Sequence, residues 1–130
     1  MKTTEYRFHG KTYHLCLNGA ALFDIYDRYG TKGFVTDVIK GNGKKSFQAT
    51  CWFLQKLAEQ GELVRRYQGY EHGKFPTAEY FAAMLRPLDV PAAKQAIAEA
   101  VAQGFARECS DDSGPVDEGL AELEKKTEAV

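Results

Sequence analysis

The feature that most constrains the fold is residues 6–30, where two short alternating segments joined by a glycine turn lead into a helix-like segment. Tyr6 and Phe8 alternate with polar residues, and so do Tyr13 and Leu15. This period-2 pattern is typical of half-buried strands. Because an isolated hairpin is only marginally stable in water, we expect its apolar face to pack against helices.

The rest of the body is predicted to be helical. Asn18, Thr77 and Asp89 are suited to cap helices through their side-chain oxygens. Apolar side chains at spacings of three and four predict five helices, at residues 19–29, 34–39, 46–60 (with a further turn or two after a kink at Gly61), 77–86 and 89–105. Phe34 and Leu88 are expected on the inner faces of the second and fourth helices.

These elements predict a mostly helical α+β fold with an N-terminal β-hairpin, in a single domain of residues 1–108. That body holds 15 basic and 11 acidic residues, a net charge of +4. Residues 109–130 hold seven acidic residues and two lysines, a net charge of −5. This segment is expected to be a flexible acidic linker and tail, because it has too few apolar residues to order itself.

Composition narrows the classes of function. A formal net charge of −1 argues against general nucleic-acid binding. Three cysteines, at positions 16, 51 and 109, do not form a disulfide framework, and Cys16 and Cys51 are expected to be buried thiols. With no apolar run near the length of a membrane span, the sequence predicts a soluble cytoplasmic protein without membrane partners.

No catalytic, cofactor or metal site is predicted. His9, His14 and His72 lack the additional ligands and spacing of a metal centre. The glycines and lysines of residues 41–46 are reminiscent of a phosphate loop, but their spacing differs from the P-loop pattern and no buried strand precedes them. A solvated turn is the simpler interpretation of this segment.

A basic and aromatic cluster is the strongest candidate for a binding surface. It comprises Arg65, Arg66, Tyr67, Tyr70, His72 and Lys74. Arginine and tyrosine are the residue types that protein interfaces favour, and the same types bind phosphates and stack on bases. The simplest alternative is a solvated basic turn at the C-terminus of a helix.

The overall layout resembles that of a known protein family. The segment F-H-G-K-T-Y-H-L-C-L-N-G-A-A-L-F-D-I-Y-D-R-Y-G of residues 8–30, the core helix from Phe47, the alanine-rich helix from Pro91 and the acidic G-L-A-E-L-E-K-K-T of residues 119–127 carry the resemblance. Together they resemble the small tail-assembly chaperones of long-tailed phages, found in prophages of Gram-positive bacteria. The resemblance covers most of residues 5–126.

The resemblance implies a non-enzymatic protein of the bacterial host cytoplasm. Such a chaperone coats the tape-measure protein before tail-tube subunits polymerise around it, and it tends to self-associate. A groove for an amphipathic client helix is expected between hairpin and helices, rimmed by Tyr26, Tyr29, Arg65, Arg66, Tyr67 and Tyr70. The alternatives are another virion morphogenesis protein, such as a head–tail connector or tail-completion protein, and a nucleic-acid-binding regulator.

Overall fold

The computed structural model describes residues 2–71 and 74–106, and in these residues a two-stranded hairpin precedes four α-helices. The elements are β1 (Thr4–Phe8), β2 (Lys11–Leu15), α1 (Gly19–Tyr29), α2 (Lys44–Tyr67), α3 (Ala78–Met84) and α4 (Val90–Phe105). Short 3-10 helices precede α2, at Val35–Ile39, and α4, at Pro87–Asp89. The predicted α+β class is confirmed, with four α-helices in place of five.

The hairpin forms as its alternating pattern predicts. β1 and β2 pair antiparallel, with Tyr6 opposite Tyr13. His9 and Gly10 connect them, with φ angles of 50° and 76°. Positive φ at both central residues is what a two-residue turn needs to match the twist of the strands. The inward side chains of the hairpin are all buried: Tyr6, Phe8, Tyr13 and Leu15.

Helix α2 is the centre of the fold, because β2, α3 and α4 all pack against it. Phe53, Leu54 and Leu57 are completely buried in one continuous core. The backbone N–H of Cys16, just after β2, donates a 3.0 Å hydrogen bond to the carbonyl of Leu57. The hairpin is therefore held directly against the backbone of the central helix.

The predicted interruption at Gly61 is wrong, since α2 runs unbroken from Lys44 to Tyr67. A β-carbon built at Gly61 would collide with the backbone carbonyl of His14 in β2. Glycine at this position therefore allows β2 to pack closely against α2. The sequence around Gly61 gives no sign of this role, because the contact is with a distant strand.

Local capping chemistry is mostly as predicted. Asn18 and Thr77 cap α1 and α3, accepting backbone N–H hydrogen bonds of 2.9 and 3.2 Å. Asp89 does not cap α4 through its side chain. Its carboxylate instead accepts a 2.9 Å bond from the backbone N–H of Arg86 and so closes the 3-10 turn before α4.

Four side chains predicted to face the core are exposed: Phe34, Met84, Leu88 and Phe105, of which Phe34 and Leu88 are the most exposed. Phe34 is 80% exposed, because it precedes the 3-10 turn and its backbone N–H is bonded at 2.9 Å to the Asp37 carboxylate. Leu88 is 92% exposed in the second 3-10 turn. In both places a short 3-10 turn replaces the regular α-helix that the prediction assumed, so the spacing of three and four no longer defines one face.

The cysteine prediction is confirmed for the two positions that the structure describes. Cys16 and Cys51 are free and buried, and burial raises the pKa of the Cys51 thiol. Cys109 and the whole predicted tail, residues 109–130, lie outside the described residues.

Tyr6 makes the stability of the fold sensitive to alkaline pH. Burial, with smaller contributions from Asp89, Tyr13 and Cys51, raises the pKa of Tyr6 from 10.0 to about 12. Between these two pH values the unfolded chain loses the phenolic proton while the folded chain keeps it. The stabilisation is fully present below pH 10 and is lost as the pH rises towards 12.

We therefore expect the free energy of unfolding to fall by about 2 kcal/mol across this range on account of Tyr6. Urea titrations at a series of pH values would measure it. Tyr6→Phe should show a shallower decline than the wild type, with the remainder due to Tyr13 and Cys51, whose pKa values burial also raises. An identical decline in both proteins would contradict this assignment.

Candidate functional site

Tyr26 and Tyr29 mainly anchor α1 to the fold. Both are half-buried and pack against the core. The Tyr29 ring meets the Trp52 ring of α2 edge-on, with centroids 5.5 Å apart. Tyr26 meets the ring of Phe23 at 6.2 Å, and Phe23 is 66% exposed. On α1 the exposed aromatic surface is therefore that of Phe23, which was not predicted.

Two cationic side chains lie close to the Trp52 ring. The Arg28 guanidinium lies 5.1 Å from the centre of the Trp52 ring, and Arg28 Nε donates a 3.2 Å bond to the Tyr29 hydroxyl. The Lys56 ammonium lies 5.9 Å from the same ring. Contacts of this kind are attractive and specific in geometry. They reinforce the packing of the end of α1 on α2.

Lys56 also joins α1 to α2 by charge. Its ammonium lies 3.0 Å from the Asp24 carboxylate and 2.9 Å from that of Glu59. Burial lowers the pKa of Lys56, but its hydrogen bonds to Glu59 and Asp24 outweigh burial and leave this pKa above its ordinary value. These ion pairs fasten α1 to α2, so the contacts of Lys56 are structural.

Helices α1 and α2 run antiparallel. Asn18, at the start of α1, donates a 3.0 Å bond to the Gln60 side chain, whereas Tyr29, at its end, meets Trp52. Each residue of a helix adds about 1.5 Å, so Trp52 and Arg65 lie about 20 Å apart along α2. The six predicted residues therefore do not rim one groove. Tyr29 lies beside Trp52 near the middle of α2, and Tyr26 lies one turn earlier on α1, whereas the other four lie at or just beyond the C-terminal end of α2.

Arg65 is held by the segment that follows α2. Its guanidinium lies 5.1 Å from the centre of the Tyr70 ring, and its Nη2 donates a 3.5 Å bond to the carbonyl of Glu71. Its Nε is buried and has no hydrogen-bond partner in residues 2–71 and 74–106. Beside it is a small polar depression of about 300 Å³, lined by Lys2, Thr3, Glu5, His14, Arg65, Gln68 and Tyr70.

The last turns of α2 present an exposed apolar stripe. Tyr67 is 89% exposed, and Leu63, one turn earlier on the same face, is 38% exposed. Gln60, which bonds to the start of α1, belongs to this face too. Helix α1 covers this face of α2 only as far as Gln60. Leu63 and Tyr67 lie further along the same face, where α1 no longer covers it. We call Leu63, Arg66 and Tyr67 the α2 end surface.

The end of α4 reaches the same region. A β-carbon built at Gly104 would lie 2.7 Å from the Leu17 side chain, so α4 passes very close to the residue that precedes Asn18. Phe105, the last residue of α4, is 59% exposed. Sequence reasoning missed Leu63 and Phe105. The spacing of four between Leu63 and Tyr67 was the available signal for the former.

A second surface is an open cleft of about 510 Å³ at the opposite end of α2. We call it the α2–α4 cleft, and it is lined by Gly41, Asn42, Gly43, Lys44, Phe47, Leu85, Pro87, Val90 and Lys94. Lys94 Nζ donates bonds of 2.6 Å to the Gly41 carbonyl and 3.1 Å to the Ser46 hydroxyl. Ser46 in turn donates a 2.7 Å bond to the Ile39 carbonyl. The loop that resembled a phosphate loop is thus fastened to α4.

Residues 2–71 and 74–106 form no helix that is both long and apolar enough to cross a membrane. They contain no group of three histidine, cysteine or acidic side chains placed to hold a metal ion. His72, a member of the predicted basic cluster, lies outside them.

No protein-family model, curated protein or solved structure gives a significant match to this chain.

Proposed function

We propose that this protein is a non-enzymatic tail-assembly chaperone of a long-tailed phage or prophage, which binds the tape-measure protein in the cytoplasm of the bacterial host. The resemblance of residues 8–30 and of the overall layout supports this function. The observation that carries it is the α2 end surface, where Leu63 and Tyr67 remain exposed beyond the start of α1.

The geometry of this surface suits an amphipathic helix. Helix α1 already packs antiparallel on α2 as far as Gln60. A client helix lying on the next two turns would continue the line of α1 and cover Leu63 and Tyr67. Arg66 projects beside them and would pair with an acidic residue flanking the apolar stripe of the client. A helix laid into an apolar groove is a common mode of peptide recognition.

Such binding explains how a chaperone without a nucleotide cycle would act. A long helical client with apolar patches aggregates unless those patches are covered. Coverage requires a complementary apolar surface, and a tyrosine such as Tyr67 offers a large rigid contact area at little entropic cost. The same surface would release the client when tail-tube subunits compete for it, and it allows self-association when no client is present.

Co-expression with the tape-measure protein of the same phage or prophage tests the proposal. We expect wild-type protein to keep the client soluble and to co-purify with it. Leu63→Ser/Tyr67→Ser should reduce the co-purified client about tenfold or more, because truncating buried interface anchors typically costs about 2 kcal/mol or more. Leu88→Ser is the matched control, since Leu88 is about as exposed as Tyr67 but lies in the turn before α4.

Two outcomes would contradict the proposal. One is a client that is equally insoluble with and without this chain. The other is a double variant that folds and retains the client as well as the Leu88→Ser control does. Purified virions give an independent check, because a chaperone should be absent from them, whereas a head–tail connector should remain.

A further inference from the structure

The α2–α4 cleft combines apolar walls with unneutralised positive charge. Phe47, Leu85 and Val90 supply apolar walls, and Lys44 and Lys94 supply the charge. The ion pairs of Lys40 with Asp37, of Lys56 with Asp24 and Glu59, and of Arg86 with Asp89 involve neither Lys44 nor Lys94. The cleft therefore fits a ligand that is apolar on one side and acidic at its margins.

One segment of this chain has that pattern. Val116, Leu120 and Leu123 are spaced by four and three residues, which places them on one side if the segment is helical. On such a helix Asp117 and Glu124 flank the apolar stripe on the same side. Spacings of this kind are the anchors of a helix that binds in a groove.

We propose that residues 116–124 dock in the α2–α4 cleft of the same molecule. The apolar stripe contacts Phe47, Leu85 and Val90, and the two flanking carboxylates face the ammonium groups of Lys44 and Lys94. The charges of the two parts of the chain favour this contact, because residues 109–130 carry a net charge of −5 and residues 1–108 one of +4.

The length of the connection allows docking within one molecule. The cleft lies at the start of α4, whereas the described chain ends just beyond Phe105. The sixteen residues of α4 span about 24 Å, and the ten residues from 107 to 116 reach up to about 33 Å when extended. Such a tether gives an effective concentration of about millimolar, which favours the segment of the same chain over that of a second copy.

The other basic surface is less suited to this segment. Arg65 already stacks on Tyr70 and donates to the carbonyl of Glu71, and its polar depression lacks apolar walls for three anchors. Docking in the α2–α4 cleft leaves the α2 end surface free. The inference thus stands independently of the proposed function.

Hydrogen exchange of the full-length protein, read by mass spectrometry, tests the docking. We expect slowed exchange in residues 116–124. Asp117→Lys/Glu124→Lys should accelerate exchange there about tenfold or more, and it should also accelerate exchange in residues 41–47 of the cleft. Glu118→Lys/Glu122→Lys changes the net charge equally but on the opposite side of the stripe, so exchange in both segments should change little.

A charge swap gives the second test. Adding Lys44→Glu to the Asp117→Lys/Glu124→Lys variant should restore part of the slowed exchange, while Lys94 is left intact because it fastens Gly41 and Ser46. The proposal would be overturned if Glu118→Lys/Glu122→Lys accelerated exchange as much as Asp117→Lys/Glu124→Lys does. It would also be overturned if residues 116–124 of the wild type exchanged as fast as an unfolded chain. Slowed exchange that disappears on about hundredfold dilution would assign the cleft to a second copy and would also overturn it.

Discussion

Gly61→Ala is expected to lower the free energy of unfolding by about 3 kcal/mol. Helix propensity alone predicts the reverse, because alanine is favoured over glycine inside a helix by about 1 kcal/mol. The added methyl group would collide with the backbone carbonyl of His14. Backbone atoms cannot rotate aside as a side chain can, so either β2 or α2 must shift.

Urea unfolding measures this change, and Gly19→Ala is its matched control. Gly19 begins α1, and a β-carbon there would meet no neighbouring atom. The control should be neutral or slightly stabilising, by up to about 1 kcal/mol. If Gly61→Ala were as stable as the wild type, the close packing of α2 on β2 would be wrong.

Phe81→Ala is expected to cost about 4 kcal/mol. Phe81 is completely buried and is the only buried residue of α3. Its ring lies 6.0 Å from that of Phe8 and 5.8 Å from that of Tyr13, so it joins α3 to the hairpin. Removing it leaves a cavity among aromatic rings that cannot collapse without moving the strands.

Calorimetry or urea unfolding would give the loss of stability, and hydrogen exchange would locate it. Exchange in residues 78–84 should accelerate more than the global loss of stability predicts, because α3 has only seven residues and Phe81 is its only buried side chain. Met84→Ala, on the same helix but 38% exposed, should cost less than about 1 kcal/mol. Equal costs for the two variants would refute the anchoring role of Phe81.

Much of the fold follows from short-range pattern. Tyr6, Phe8, Tyr13 and Leu15 were predicted as one buried face, and they are buried. That prediction succeeds because a strand of five residues reverses its side chains at every position, so burial leaves a clear alternation. The caps of α1 and α3 are likewise decided within three residues of the chain.

The errors have two causes: contacts between residues distant in sequence, and short 3-10 turns in place of α-helix. Gly61 was predicted to interrupt α2, although the glycine makes room for a strand more than forty residues earlier. Phe34 and Leu88 were predicted inward by spacing, but neither lies in an α-helix. In stretches of three to five residues, the spacing of apolar residues is too short a pattern to identify a buried helix face.

The candidate site was predictable only in part. Composition drew attention to the arginines and tyrosines near the end of α2. Arg66 and Tyr67 are exposed there beside Leu63, whereas Arg65 stacks on Tyr70. The spacing of apolar residues in α1 shows which face is buried but not that α1 runs antiparallel to α2. Tyr26 and Tyr29 were therefore grouped with residues about 20 Å away. The α2–α4 cleft was missed because Lys94 is brought to Gly41 across more than fifty residues of chain.

The hydrogen bond from Cys16 to Leu57 has a consequence for the order in which the chain folds. It ties the first sixteen residues to the middle of α2, so a loop of about forty residues must close before the hairpin gains its support. A mostly helical chain of this size would otherwise fold through local contacts in microseconds to milliseconds. Here the rate-limiting step should be the meeting of these two remote segments, which makes a nascent chain shorter than about sixty residues unable to complete its core.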